Sequence, residues 1–375
     1  MTAWDTLGPF QPGPGGMPPY LAGRETEQDL FRVLLKRLQS GVPLPSEVIL
    51  YGPRGNGKTV LLRWLRNEAA SLGQIETVVL LPSGIPHTTR LVELVLPRSW
   101  WDRLTPEQVG LAGFSWRPGP SSGPPPPLED VLAARARKAP LLVVMDEAHT
   151  LDPEVGRSLL NASQEVRQTL PLLLVLAGTP DLRGHLGAMG ASFWNRVRKI
   201  RIGRLAASAT GEGFRRPFEV EKVRVPGDVL AEMTRLSHGY PYFIQLLGQQ
   251  IWEQMVVAGE NGEVSPAVFD AARRGFENAK RDYCLDRFTE LRERGLLHVA
   301  SSVAAAFRGQ DVLNVADLED AIRTGLDDRA HDEAAGRAER ALSDLGFIWG
   351  SGPEPGWEPG IPSLMDYILE FAPAP

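Results

Sequence analysis

The stretch Leu50–Leu62 reads LYGPRGNGKTVLL. Apolar residues run into a glycine-rich loop, and Lys58 and Thr59 then open a second apolar run. The residues just before, EVILY (Glu47–Tyr51), are apolar and β-rich and read as a short buried strand. After the loop, Val60, Leu61, Trp64, Leu65 and Ala69 recur at helical spacing. The segment GPRGNGKT therefore sits between a strand and a helix, with Gly52, four residues, then Gly57, Lys58 and Thr59. A phosphate-binding loop needs that context and spacing. Glycines let the backbone of Gly52, Pro53, Arg54, Gly55, Asn56 and Gly57 wrap close to an anion without Cβ clashes. The N–H groups of the loop and of the helix start then face the anion. Lys58 would reach the β- and γ-phosphates as a point charge, and the Thr59 hydroxyl would ligate Mg²⁺.

Two further strands point the same way. APLLVVMDEAH (Ala139–His149) is an apolar run ending in two carboxylates. Asp146 would hold the metal, and Glu147 would polarise the attacking water. A strand ending in a polar loop is the plain alternative; the upstream loop favours the metal reading. PLLLVLAGTPDL (Pro171–Leu182) is a third strand, which delivers Thr179, and a helical stretch, Pro153–Leu170, separates it from the second. Ends of neighbouring parallel strands converge on the ligand in a doubly wound sheet, which would bring Thr179 near Glu147 and the γ-phosphate. Alone, Thr179 would read as a turn residue before Pro180. The tetrad Asp146–His149 also occurs in helicases, but no partner helicase motif and no second recombinase-like lobe accompanies it.

The whole chain sets bounds. Its 375 residues are 43% hydrophobic and 23% charged, an ordinary globular composition with length for two or three domains. The longest apolar runs are too short to span a bilayer, and no basic-then-apolar segment opens the chain, so we expect a cytoplasmic protein with no membrane partner. One cysteine, Cys284, leaves no internal disulfide and no cysteine zinc site. Glycine and proline crowd Pro9–Pro19, Pro118–Pro127 and Gly350–Pro362, which read as loops. Net charge is −6 overall but uneven. Arg196–Arg224 carries nine basic residues against three acidic ones, and Asp311–Pro375 carries fourteen acidic residues against four arginines, a balance of −10. Such asymmetry suits different partners for different parts of the chain, or two solvated faces.

With these motifs in place the chain resembles AAA+ ATPases, more narrowly the origin-recognition-like and signal-transducing (STAND-like) branch found in bacteria. PPYLAGRETE (Pro18–Glu27) resembles the box that flanks the adenine, with Leu21, Gly23 and Arg24 matching it. YGPRGNGKT resembles Walker A, LLVVMDEAH resembles Walker B, and LAGTPDL resembles the sensor-1 strand with Thr179 in the sensor place. SFWNRVRKIRIGRL (Ser192–Leu205) is similar to the segment carrying an arginine finger, Arg196 being the closest match and Arg198 the next. SHGYPYFIQLLGQQIW (Ser237–Trp252) resembles the lid helix, and the last stretch, from Ala341, is similar to a winged-helix close: helix, strand, glycine-rich turn, strand, short helix.

The resemblance implies a three-layer α/β core with a parallel sheet, a helical lid and a C-terminal winged-helix-like module. We place a flexible segment at 1–17, the core at 18–225, the lid at 226–300 and the last module at 301–375. It further implies an ATPase with ATP or ADP and Mg²⁺ as cofactors. Two departures shape the function expected. The lid reads Gly239-Tyr240-Pro241-Tyr242 where origin-type enzymes place an arginine. That puts Tyr240 and Pro241 near the adenine and points to slow hydrolysis, with Phe243 in the lid core. The last module is acidic where a DNA-reading winged helix is usually basic. We therefore expect a molecular switch, a homo-oligomer sharing nucleotide sites, whose acidic module gates a partner protein in a bacterial regulatory or defence system. The alternative is an initiator or transposition-type ATPase assembling on duplex DNA through Arg196–Arg224. Trp100-Trp101 reads as core or interface, and the proline-rich Arg117–Asp130 as a spacer.

Overall fold

The computed structural model describes residues 8–13, 16–96, 126–189, 195–326, 332–350 and 356–372. Trp100-Trp101 and most of the Arg117–Asp130 spacer lie outside the described residues. The chain divides into two compact units, Glu27–Tyr51 with Leu61–Ile200, and Met1–Thr26 with Gly52–Val60 and Arg201–Pro375.

The first unit is built on a five-stranded sheet of β1 (Val48–Tyr51), β2 (Glu76–Leu80), β3 (Leu141–Met145), β4 (Leu172–Gly178) and β5 (Arg198–Arg201), in the order β2-β3-β4-β1-β5. Strands β2, β3, β4 and β1 pair in parallel. Every residue of β3 and β4 is buried, so these strands read as unbroken apolar runs rather than as alternating ones. Helices such as Leu128–Lys138 and Pro153–Val166 supply the covering layers. Asp152 starts the second of these, its Oδ1 accepting from the N–H groups of Glu154 at 2.9 Å and Val155 at 3.2 Å, with Pro153 at the first helical position. The start of β1 is pinned by a buried carboxylate. Glu47 Oε1 accepts from Arg167 Nε at 2.7 Å and from Ser163 Oγ at 3.2 Å.

The second unit is helical. Ala207–Val220, Gly227–Ser237, Pro241–Ala258 and the 28-residue Pro266–Glu293 lead to Leu297–Ala306, Val315–Gly325 and Asp332–Asp344. Then come an antiparallel hairpin of β6 (Ile348–Gly350) and β7 (Trp357–Pro359) and a last helix, Pro362–Phe371. One buried apolar cluster runs through all of it, from Phe10, Phe214 and Tyr240 by way of Trp252 and Phe276 to Phe347, Leu364 and Ile368. Phe243 is fully buried in it, as the lid sequence implied.

Candidate nucleotide site

Three neighbouring parallel strands end at one edge of the sheet. Tyr51 of β1 pairs with Gly178 of β4, and Met145 of β3 pairs with Leu176. The chain therefore leaves that edge at Gly52, at Asp146 and at Thr179, the three points that the sequence singled out. Gly52 opens a loop that belongs to the helical unit, and Asp146 and Thr179 belong to the sheet unit.

The first half is the loop. Gly55 and Gly57 both take left-handed backbone, at φ +79° and +89°, which a side chain would strain. A side chain at Gly57 would meet no atom within 4 Å, so the loop is open there. Lys58 is buried, and its Nζ donates to the carbonyls of Gly52 at 2.8 Å and Pro53 at 2.9 Å. Thr59 follows it in the first turn of the helix Lys58–Ser71. This set suits a phosphate with its divalent cation: an open glycine backbone, one buried ammonium and one hydroxyl.

The loop is held from behind by its own unit. Arg24, 8% exposed, donates from Nη2 to the carbonyls of Asn56 at 3.1 Å and Gly203 at 2.5 Å. Its guanidinium is thus turned onto the loop backbone, and Gly23 beside it adopts φ +63° against Ala209. Asn56 is fully buried. Leu21 is half-buried at the same turn.

The helix Pro241–Ala258 and the turn before it meet the loop directly. Tyr240 is wholly buried; its hydroxyl donates to the Arg54 carbonyl and lies 3.2 Å from the Tyr283 hydroxyl. Burial keeps that hydroxyl protonated far above the usual tyrosine range. The Tyr242 N–H donates to the Gly55 carbonyl at 3.2 Å, and Pro241 opens the lid helix at its first position. A side chain at Gly55 would strike the Tyr240 ring. The Gly-x-Pro turn has its own cause: Gly239, at φ +69°, packs against the Leu205 carbonyl and accepts from the Leu205 N–H at 2.7 Å. Tyr240→Phe, which removes one hydroxyl, should lower the unfolding free energy by about 1–2 kcal/mol in a urea titration. An unchanged midpoint would mean that this hydrogen bond holds nothing.

The C-terminal hairpin reaches the same place. Trp349 is buried, with the Arg201 guanidinium 3.6 Å from the centre of its ring. Arg201 also donates to the Gly350 carbonyl at 2.8 Å and pairs with Glu358 at 3.0 Å. Side chains at Gly52 and Gly203 would meet the Trp349 ring at 3.4 and 3.1 Å.

The second half lies in the sheet unit. Glu147 takes left-handed backbone at φ 51°, its N–H donating to Asp146 Oδ1 at 2.9 Å and its carbonyl accepting from Thr150 Oγ1 at 2.9 Å. The Thr179 hydroxyl donates to Asp181. Arg196 is exposed in the turn before β5, and no ion pair to it occurs among the described residues.

A family model described as the AAA ATPase domain matches residues 20–176. Those residues carry an AAA ATPase domain. The match takes in Lys58, Asp146 and Glu147 and stops short of Thr179 and the lid. Among solved structures the chain is similar to a Walker-type ATPase of Pyrococcus abyssi, at 16% identity over 94% of this chain and 96% of that one, with a TM-score of 0.63. It is also similar to the ORC2 protein of Aeropyrum pernix, solved in ADPNP–ADP complexes, at 16% identity over 95% and 96%, with a TM-score of 0.58. At such identities the likeness shows the fold, the parallel-sheet AAA+ fold that the sequence implied. No curated protein sequence matches the chain. The domain match supports ATP binding and hydrolysis. No helix among the described residues is long and apolar enough to cross a membrane.

Sequence reading did not single out His149, which stands between Glu147 and Thr179, nor Tyr283. Gly178 just before Thr179 was the available signal for the first, because a glycine ending a buried strand marks close approach by a neighbour.

Proposed function

We propose that this AAA+ ATPase is a slow, nucleotide-gated switch in which the loop that binds ATP sets the position of the lid and C-terminal hairpin, and through them of a partner protein. The observation that carries this is the set of direct contacts on the loop: Tyr240 on the Arg54 carbonyl, Tyr242 on the Gly55 carbonyl, and Trp349 against Gly52. A loop whose carbonyls are held by the lid cannot rearrange around a phosphate without moving that lid. Lys58 would bind phosphate, Thr59 and Asp146 would hold the divalent cation, Glu147 would orient and deprotonate water, and Thr179 would report from the neighbouring strand end. Bound Mg²⁺ would neutralise phosphate charge. Leu21, Gly23, Arg24 and Pro241 would shape the adenine side, and Arg196 would act on a neighbouring subunit's site in a homo-oligomer. A bacterial regulatory or defence setting follows from the resemblance alone.

The basic run gives the DNA reading little support. Arg201 holds Glu358, Arg204 reaches Asp311, Arg215 and Arg216 hold Glu212, and Arg224 holds Glu263. Five of its nine cations thus already face carboxylates, and phosphate contacts would have to compete with them. ATPase rate against protein concentration, with and without duplex DNA, tests both readings. We expect a steep rise with concentration and no stimulation by DNA. A DNA-stimulated rate, with tight, salt-sensitive binding in a fluorescence-anisotropy titration, would replace the switch with the initiator reading.

A further inference from the structure

The residue that joins the two carboxyl-terminal strand ends is a histidine. His149 is the middle residue of the turn Ala148–Thr150, and its side chain is 7% exposed. Its Nε2 lies 3.4 Å from Glu147 Oε2. On its other side, the backbone N–H of Thr179 donates to His149 Nδ1 at 3.5 Å. A backbone N–H can only donate, so in that bond Nδ1 accepts, and a neutral ring with its proton on Nε2 would serve both neighbours. Gly178 makes the arrangement possible, because a side chain there would stand 3.3 Å from His149 Nδ1 and 2.9 Å from Leu182. Glu147 needs the support. It is half exposed, and its left-handed backbone is costly for a residue with a Cβ. Its carbonyl and N–H are tied by Thr150 and Asp146, but its carboxylate points to solvent on one side.

We propose that His149 is the positioning residue for Glu147: through one tautomer it ties the Glu147 carboxylate to the Thr179 backbone, so that a shift of the β4 end is passed to the group that orients water. This rests on the reading of Glu147 given above. The Thr179 hydroxyl is turned to Asp181, so the link from β4 to Glu147 runs through the peptide N–H of residue 179 and not through its side chain.

The test uses the full chain and three substitutions. Glutamine places an amide N–H near the position of Nε2 and can still reach Glu147; asparagine reaches only the Thr179 side; alanine reaches neither. His149→Ala and His149→Asn should lower kcat roughly tenfold to a hundredfold with ATP affinity unchanged, and His149→Gln should recover most of it. In a Glu147→Gln background, His149→Ala should cost nothing further, because the two act as one unit. Equal kcat for all three variants and the parent, or a further loss in the Glu147→Gln background, overturns the assignment. If alanine does not fold, the asparagine–glutamine contrast decides. A second readout does not need turnover. In ¹⁵N-histidine-labelled protein, the His149 signal, assigned by its loss in His149→Gln, should show a neutral ring with the proton on Nε2. Its Nε2 shift should move in Glu147→Gln. A proton on Nδ1, or no movement, overturns the link even if the parent hydrolyses no ATP, an outcome that would instead sink the ATPase reading.

Discussion

Lys58→Ala abolishes ATP binding, and Glu147→Gln keeps binding while turnover falls by about a hundredfold to ten-thousandfold; these are the results we expect from calorimetry and a steady-state assay. The two residues act at different stages. Lys58 meets phosphate in the ground state, so its loss appears in affinity. Glu147 acts on the water in the transition state, so its loss appears in kcat. The structure adds a second term for Lys58. Its ammonium also donates to the carbonyls of Gly52 and Pro53, so alanine removes two internal braces of the loop along with the phosphate contact. Thermal unfolding separates these effects. ATP at about a hundred times its dissociation constant should stabilise the parent by about 2.7 kcal/mol and Lys58→Ala not at all. Unchanged ATP affinity in Lys58→Ala would mean that Gly52–Thr59 is not the phosphate loop.

Arg196→Ala should bind ATP as the parent does and hydrolyse it about a thousandfold more slowly, the usual worth of an arginine supplied to a neighbouring phosphate. The side chain is exposed just before β5, as a group that serves another subunit would be. Mixing supplies the decisive measurement. Arg196→Ala retains an intact loop, and Lys58→Ala retains an intact Arg196. A mixed assembly therefore contains some complete sites, and activity should return when the two inactive proteins are combined. If subunits demonstrably mix and activity does not return, the role moves to Arg198, the first residue of β5.

What could be read from sequence was local. The strand–loop–helix around Lys58 and the fully buried β3 and β4 depend on neighbours in the chain, and periodicity and spacing exposed them. The features that escaped reading join distant residues. Tyr240 reaches the Arg54 carbonyl across 186 positions, and Thr179 reaches His149 across 30. Neither bond leaves a periodic trace. Charge along the chain is local in the same way. Counted along the chain, Arg196–Arg224 is a basic run, yet the fold brings Glu263, Asp311 and Glu358 onto three of its arginines. The acidic surplus after residue 311 partly answers the basic surplus before 225.

The apolar cluster that joins Phe10 to Ile368 also decides how this protein can be cut. Phe347, Ile348, Leu364, Met365 and Ile368 are all buried within it, and Trp349 is buried as well. At about 1.5–3 kcal/mol for each large buried side chain, a protease nick that released everything after Asp344 would forfeit roughly 10 kcal/mol, as much as a typical domain's entire stability. Shortened chains ending there should therefore not survive as smaller, nucleotide-competent fragments. Limited digestion should yield either the intact unit or peptides, with no stable intermediate lacking the tail, and an affinity tag is safer beyond residue 372 than in place of any part of the last helix.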